Sequence, residues 1–293
     1  MKNLCDICPR NCKIDRINKM GYCSSTNKIK IAKVMRHFWE EPIISGENGS
    51  GAIFFSNCNL KCIFCQNYEI SSKGFGNEYE ISDLVNIFKD LEKKKVSNIN
   101  LVSPTQYTSQ IIEALKIYKP NIPIVWNSNG YEKPETILML KDYVDIYLCD
   151  LKYYDEKLSL ELSSAKDYFQ YASQALIQMK KNQPTDIIEN GIMMKGLIIR
   201  HLVMPNCVQD SFKVLDWIAS RLGNKTYISV MNQYIPYYKA IDNKLIGRKI
   251  KPLEYKAVKS HALNLGFENG FFQEKESADI CYIPKFDGNI NID

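Results

Sequence analysis

Cys58-Asn59-Leu60-Lys61-Cys62-Ile63-Phe64-Cys65 presents three thiols separated by three and then two residues. At that spacing a short loop wraps an iron–sulfur cluster, each thiolate holding one iron. Three ligands for four irons leave one iron open. An open iron binds a small molecule, whereas a fully ligated cluster mainly passes electrons. A zinc reading requires a fourth ligand, and none stands nearby in sequence. A second group, Cys5-x2-Cys8-x3-Cys12-x10-Cys23, gathers four thiols within 19 residues, enough to close a tetrahedral site. A structural zinc there would fold the short segment outright; an auxiliary iron–sulfur cluster would add an electron relay or a substrate anchor. Both readings stay open. The lone Cys149, Cys207 and Cys281 read as small packed side chains.

These thiols need elements to position them. Residues 1–45 show no strong periodicity and form a small Cys-rich metal-binding segment, stapled by its metal. The glycine-bearing stretch 45–51 opens a region of different texture, 46–275, with a C-terminal tail at 276–293. Ala52–Ser56 is a short apolar run suited to a buried strand, and the cysteine loop follows it directly. Strands are expected at 99–102, 122–126, 144–148, 196–203 and 227–231, with a short last one at 271–273. Helices alternate with them, one capped by Ser82, one opened by Pro134, one spanning about 165–180, one closed by Gly223 and one spanning 252–265. Alternating strands and helices imply an α/β fold with a parallel sheet and right-handed crossovers. Six or seven such units suit an open, partial (β/α)6 barrel, whose chemistry sits at the C-terminal ends of the strands.

The cysteine loop, with Phe64 just before its last thiol, resembles the signature of the radical S-adenosylmethionine (SAM) superfamily. Longer strings resemble a pyruvate formate-lyase activating enzyme-like family, related to the activases of glycyl radical enzymes. They are His37-Phe38-Trp39-Glu40-Glu41-Pro42, Ile44-Ser45-Gly46, Gly49-Ser50-Gly51, Cys62–Asn67, Ile198–Pro205 and Gly266-Phe267-Glu268-Asn269-Gly270, and they cover nearly the whole chain. The resemblance implies a [4Fe–4S] cluster on Cys58, Cys62 and Cys65 whose open iron is chelated by SAM. It implies one-electron cleavage of SAM to methionine and a 5′-deoxyadenosyl radical, which takes a hydrogen atom from a substrate. It further implies an electron donor such as flavodoxin or ferredoxin, and a glycyl radical enzyme or other protein as partner.

SAM carries a carboxylate, an ammonium, a ribose diol and an adenine, so polar groups are sought at strand ends beside Phe64. Related activating enzymes end their second strand in a Gly-Gly-Glu-Pro-like motif that meets the ammonium. This chain has Val102-Ser103-Pro104-Thr105-Gln106 instead, which lacks the acid and leaves Ser103, Thr105 and nearby carbonyls as candidates. Asn127 and Asn129 end the third strand. Asp150 and Lys152 end the fourth and resemble a pair that lines the SAM pocket. Arg200, in an apolar strand, needs an anion, and the SAM carboxylate is the candidate. His201 should point to the opposite face. Met231 can flank adenine.

Net charge is +5 and the lysines are scattered, which gives no clear nucleic-acid patch. No apolar run reaches bilayer length and the polar N-terminus does not read as a signal peptide, so a cytoplasmic protein is expected. Three functions compete at this stage: activation of a glycyl radical enzyme, radical modification of a small molecule, peptide or RNA, and iron–sulfur electron transfer without SAM cleavage.

Overall fold

The computed structural model describes residues 4–274, 278–279, 284–290 and 292; Cys281 and part of the C-terminal tail lie outside them. In chain order, β1 (Ile29–His37), α1 (Pro42–Ser45) and β2 (Ser50–Phe55) precede the cysteine loop. After it come α2 (Tyr68–Ser71), β3 (Asn77–Tyr79), α3 (Ile81–Lys93), β4 (Ile99–Val102), α4 (Thr108–Ile117), β5 (Ile124–Ser128), α5 (Pro134–Met139) and β6 (Ile146–Asp150). The rest is α6 (Glu156–Ser163), α7 (Tyr168–Asn182), β7 (Ile187–Glu189), β8 (Ile192–Leu202), α8 (Val208–Leu222), β9 (Tyr227–Met231), α9 (Pro252–Asn264) and β10 (Gly270–Phe272).

The strands form one sheet in the order β10-β9-β8-β6-β5-β4-β2-β1-β3. Every pairing from β2 to β10 along this path is parallel, and β1 is antiparallel to both β2 and β3. Among the described residues the sheet ends in two edges, as an open barrel of crossover units does.

Period two along the strands builds two separate interiors. Trp126, Tyr147, Cys149, Leu197, Ile199 and Ile228 pack in the main core, which the long helices also join. Their neighbours Val125, Ile146, Leu148 and Ile198 pack instead around Ile44 of α1. Ile44 is fully buried and plugs the inner face of the sheet; its burial contributes about 2 kcal/mol. Asn98 Nδ2 donates to the Ile44 carbonyl at 2.7 Å and holds the plug in place. One step further along the same inner face stand Asn127, Asp150 and Arg200. The alternation that buries the plug therefore delivers three polar groups to the strand ends above it.

Four local features differ from the sequence expectation, each for a physical reason. β1 occupies residues assigned no element, because a register shift between Ile31 and Lys33 breaks its alternation. Glu80, not Ser82, caps α3 through a reciprocal capping box with Asp83. α6 is short and capped by Asp155, whose carboxylate accepts from Lys157 and Leu158 N–H groups. β7 and β8 form a hairpin over Asn190-Gly191, both at positive φ, a pairing that suits a type I′ turn. Cys149 and Cys207 are buried, as expected of packed lone cysteines. No helix of the described residues is long and apolar enough to cross a membrane.

Candidate radical site

The cysteine loop leaves the end of β2 and is pinned by the C-terminal carbonyls of α6: Lys61 N–H donates to Ser163 and Ile63 N–H to Leu162. Each thiol meets a polar group from a different element. Asn129 Nδ2 donates to Cys58 Sγ at 3.2 Å, Ser163 Oγ donates to Cys62 Sγ at 2.9 Å, and Cys65 Sγ lies 3.2 Å from Ser71 Oγ. Burial pushes all three thiols up, Cys62 to about 12. Buried sulfurs of this kind become thiolates when a metal's positive charge stabilises them. One buried and two half-buried sulfurs, each with its own hydrogen-bonding group, suit an iron–sulfur cluster, whose properties such bonds tune. Among the described residues no three Cys, His, Asp or Glu side chains converge on one ion position. A cluster does not ask this of them, since each sulfur takes a different iron.

Cys62 and Cys65 open onto a cavity of about 410 Å³ at the strand ends. Phe64, Asn127, Asp150, Lys152, Arg200 and Met231 of the sequence-derived set line it. At its floor lies an ion network. Arg200 Nε donates to Asp150 Oδ1 at 2.9 Å, Nη1 to Glu40 Oε2 at 3.0 Å and Nη2 to Asn127 Oδ1 at 2.6 Å. Glu40 Oε1 accepts from Asn100 and Asn127, and Lys152 Nζ donates to Asp150 Oδ2 at 2.6 Å. Burial alone would push the Asp150 carboxyl up. The Arg200 guanidinium and Lys152 ammonium outweigh that and hold it below the ordinary carboxylate range. Anionic partners for Arg200 are thus present within the chain, in Glu40 and Asp150. Glu40 and Glu41 carried no role in the sequence reading. They reach the site because the β1–α1 connection crosses the inner face of the sheet.

Other candidates stand outside the cavity. Thr105 Oγ1 donates to Glu132 Oε1, which also accepts from Trp126 Nε1, while Ser128 Oγ donates to Oε2. Thr105 thereby anchors a buried carboxyl that burial pushes up. Ser103 sits at φ +56, its N–H donating to Asn127, and Gln106 Nε2 reaches the Ser56, Asn57 and Ser103 carbonyls. This segment ties β2 to β4. Asn129 is turned to Cys58 instead of to the cavity. The turn after it requires Gly130: at φ +79 a Cβ would sit 2.3 Å from the Asp150 carbonyl.

His201 faces away from the cavity, as the alternation requires, between the Leu151 carbonyl at 2.7 Å and Ser211 Oγ at 2.9 Å. Burial pushes its pKa down to about 4. The folded chain then refuses a proton that the unfolded chain accepts, so stability is full above about pH 6.5 and declines towards pH 4, by up to about 3 kcal/mol. His201→Gln is expected to remove this part of the decline in urea titrations at pH 7 and 4.5. An identical decline in variant and wild type would refute it.

The N-terminal segment meets the cysteine loop at Asn59. Arg10 Nε donates to the Asn59 carbonyl at 2.8 Å, and the Asn59 side chain lies against Cys8. Burial pushes Cys8 up to about 12, and its neighbours Cys23 and Cys5 add to this. Cys12 Sγ accepts from the Tyr22 N–H and, with Cys23 Sγ, faces Gly21.

Residues 52–203, more than half of the chain, match the Radical SAM superfamily. The chain belongs to that superfamily. An uncharacterized protein of Methanocaldococcus jannaschii is 33% identical over 296 residues, covering 95% of this chain and 76% of the relative. Among solved structures, the FeFe-hydrogenase maturase HydG from Carboxydothermus hydrogenoformans is similar with a TM-score of 0.52 at 14% identity, over 78% of this chain and 55% of that one. The structure of anSMEcpe with bound AdoMet has a TM-score of 0.50 at 15% identity, over 82% and 63%. This radical SAM protein thus spans a little over half the length of these structures, and the likeness concerns the fold. Superfamily membership implies a [4Fe–4S] cluster and SAM. Cys58, Cys62 and Cys65, and the cavity beside them, fit that pair.

Proposed function

We propose that this radical SAM enzyme abstracts a hydrogen atom from a compact, polar substrate seated on the charged floor of the cavity. The observation that carries the reading is that Cys62 and Cys65 share one cavity with the buried Glu40–Arg200–Asp150–Lys152 network. When bound at the three cysteines, the cluster and SAM supply reductive cleavage and a 5′-deoxyadenosyl radical. The chain's own residues orient and exclude. Phe64 and Met231 supply apolar walls, with Phe64 packed on Tyr234 at 6.1 Å between ring centroids. Lys152 and Asp150 present a fixed pair of opposite charges beside Cys62. Arg200 commits three of its five N–H donors to Glu40, Asp150 and Asn127, which fixes the floor before any ligand arrives, so little reorganisation remains when it binds. Asp279 and Pro284 wall the cavity as well. Phe286 packs edge-on against Phe54, and Gly288 and Asn289 hydrogen-bond the β1 backbone at Ala32 and Val34. A narrow molecule fits such an enclosure more easily than a folded loop.

Activation of a glycyl radical enzyme is the second reading, favoured by the strings at 37–42 and 198–205. The test uses anaerobically reconstituted protein with SAM and dithionite. Formation of 5′-deoxyadenosine is expected, and its absence would leave the electron-transfer alternative. A glycyl EPR doublet on mixing with a co-encoded glycyl radical enzyme would replace the compact-substrate reading with activation. Physiological reduction by a flavodoxin or ferredoxin belongs to the same proposal.

The proposal extends to a second metal site at Cys5, Cys8, Cys12 and Cys23. In iron, sulfide and zinc analysis, Cys5→Ser/Cys8→Ser is expected to lose one metal component and keep the cluster at Cys58. Loss of zinc marks a structural site, loss of about four irons an auxiliary cluster. Unchanged metal content would remove the second site.

A further inference from the structure

Beside the satisfied Glu40, its neighbour Glu41 is left with an unused acceptor. Glu41 precedes Pro42 and its carbonyl accepts from Ile44 and Ser45, so the plug that buries Ile44 also fixes the Glu41 backbone. The residue is only 8% exposed, lines the cavity, and has the Ser229 hydroxyl against its carboxyl group. Yet Glu41 Oε2 has no hydrogen-bond partner among the described residues. Arg200, the cation whose charge reaches Glu41, donates to Glu40, Asp150 and Asn127 instead. A buried carboxyl oxygen without a donor is costly, of order 1–3 kcal/mol, and most native chains avoid it. The cavity wall also carries the carboxyl groups of Glu40, Glu41 and Asp150 against the cations Lys152 and Arg200. A cationic donor would complete Glu41 and offset the excess of carboxyl groups on this wall.

We infer that Glu41 anchors a cationic nitrogen, an ammonium or guanidinium, of the molecule bound in this cavity. Burial pushes the Glu41 carboxyl up, helped by Glu40 and opposed by the charge of Arg200; an arriving cation adds to that opposing charge and brings the donor that Oε2 lacks. Two molecules can bring such a nitrogen. One is SAM itself, through its α-ammonium, since the end of β4 offers no acid and commits Thr105 to Glu132. The other is a substrate bearing an amine or guanidine. The inference rests on the proposed function only in naming SAM as one of these occupants.

The test compares reconstituted wild type with Glu41→Gln, isosteric but unable to carry charge. Calorimetry is run with SAM, with 5′-methylthioadenosine, which lacks the amino-acid part, and with agmatine and putrescine. If SAM supplies the nitrogen, SAM affinity falls about 10-fold or more while that of 5′-methylthioadenosine is unchanged. If the substrate supplies it, SAM affinity holds, and agmatine or putrescine binds wild type about 10-fold or more tighter than the variant. Equal affinities for all probes overturn the inference. The Tm of ligand-free Glu41→Gln is expected to equal or exceed that of wild type; a lower Tm with unchanged affinities marks a structural carboxyl and also overturns it. Should Glu41→Gln fail to fold, Glu41→Asp, which keeps the charge and withdraws it, is expected to show the same losses in smaller degree, and unaltered binding there overturns the inference. Failure of wild type to form 5′-deoxyadenosine would instead count against the radical reading, with the calorimetric comparison still readable.

Discussion

Cys62→Ala is expected to abolish 5′-deoxyadenosine formation and the visible absorbance of the cluster. The loop holds its three sulfurs through different elements, so loss of one cannot be made good by a neighbour sliding into place. Cys58 is tied to Asn129 of the β5 end, Cys62 to Ser163 of α6, and Cys65 to Ser71 of α2. Two of the three, Cys62 and Cys65, border the cavity, so the metal they hold faces whatever is bound there. Ser163→Ala separates ligation from tuning. That variant keeps all three thiols but deletes the hydroxyl 2.9 Å from Cys62 Sγ, which also lies 2.7 Å from the Tyr153 hydroxyl. Full iron content, a more negative midpoint potential and about 10-fold slower SAM cleavage are expected, the size typical of losing a group that supports a ligand. Retained cleavage in Cys62→Ala would refute the assignment of the cluster to this loop. An unchanged potential in Ser163→Ala would refute the role given to the hydroxyl.

The cysteine loop and the parallel strands were legible in sequence because both are local signals: fixed thiol spacings, and apolar runs bounded by turns. What escaped was non-local. β1 hides behind a bulge that spoils its alternation, and it forms a strand because β2 lies beside it. Glu40 and Glu41 lie in a connection with no periodicity, yet the Ile44 plug carries them beneath strand ends some 60 to 190 residues away. Arg200 in an apolar strand demands an anion, but its partners Glu40 and Asp150 lie 160 and 50 residues away, where no local pattern points to them. Thr105 and Ser103 bring polarity to a strand end, and in the fold Thr105 bonds the buried Glu132 while the Ser103 carbonyl accepts from Gln106 at the β2–β4 junction. Asp150 and Lys152 stand out in sequence by their resemblance to a SAM-pocket pair and their place at the catalytic end of a strand; the structure shows them paired with each other.

Arg200→Met is expected to lower stability by about 3–5 kcal/mol, the usual result of removing one partner from a buried ionic network. The side chains of Arg200, Glu40 and Asp150 are 15%, 10% and 13% exposed, so water does little to replace the lost charge. Methionine fills a comparable volume, and what is lost is the guanidinium's three hydrogen bonds and its charge. Asp150 would keep Lys152, and Glu40 would keep the amide donors of Asn100 and Asn127, which limits the damage. Acidity should reveal the cause. In wild type the depressed Asp150 contributes stability that is present above about pH 4 and is lost as pH falls further. Without Arg200 the buried carboxylates gain by taking up a proton, so the gap between wild type and variant should narrow from pH 7.5 to pH 5 in urea titrations. Glu40→Gln/Arg200→Met, which removes a charge of each sign, should recover part of the loss, because an uncompensated buried charge costs more than an absent pair. A loss below about 1 kcal/mol, the scale of an exposed ion pair, would mean that the network is solvated. A gap that stays constant from pH 7.5 to pH 5 would mean that Arg200 stabilises the fold by packing and not by charge. The floor of the cavity is therefore set by electrostatics within the chain, and a ligand meets a surface whose charges are already in place.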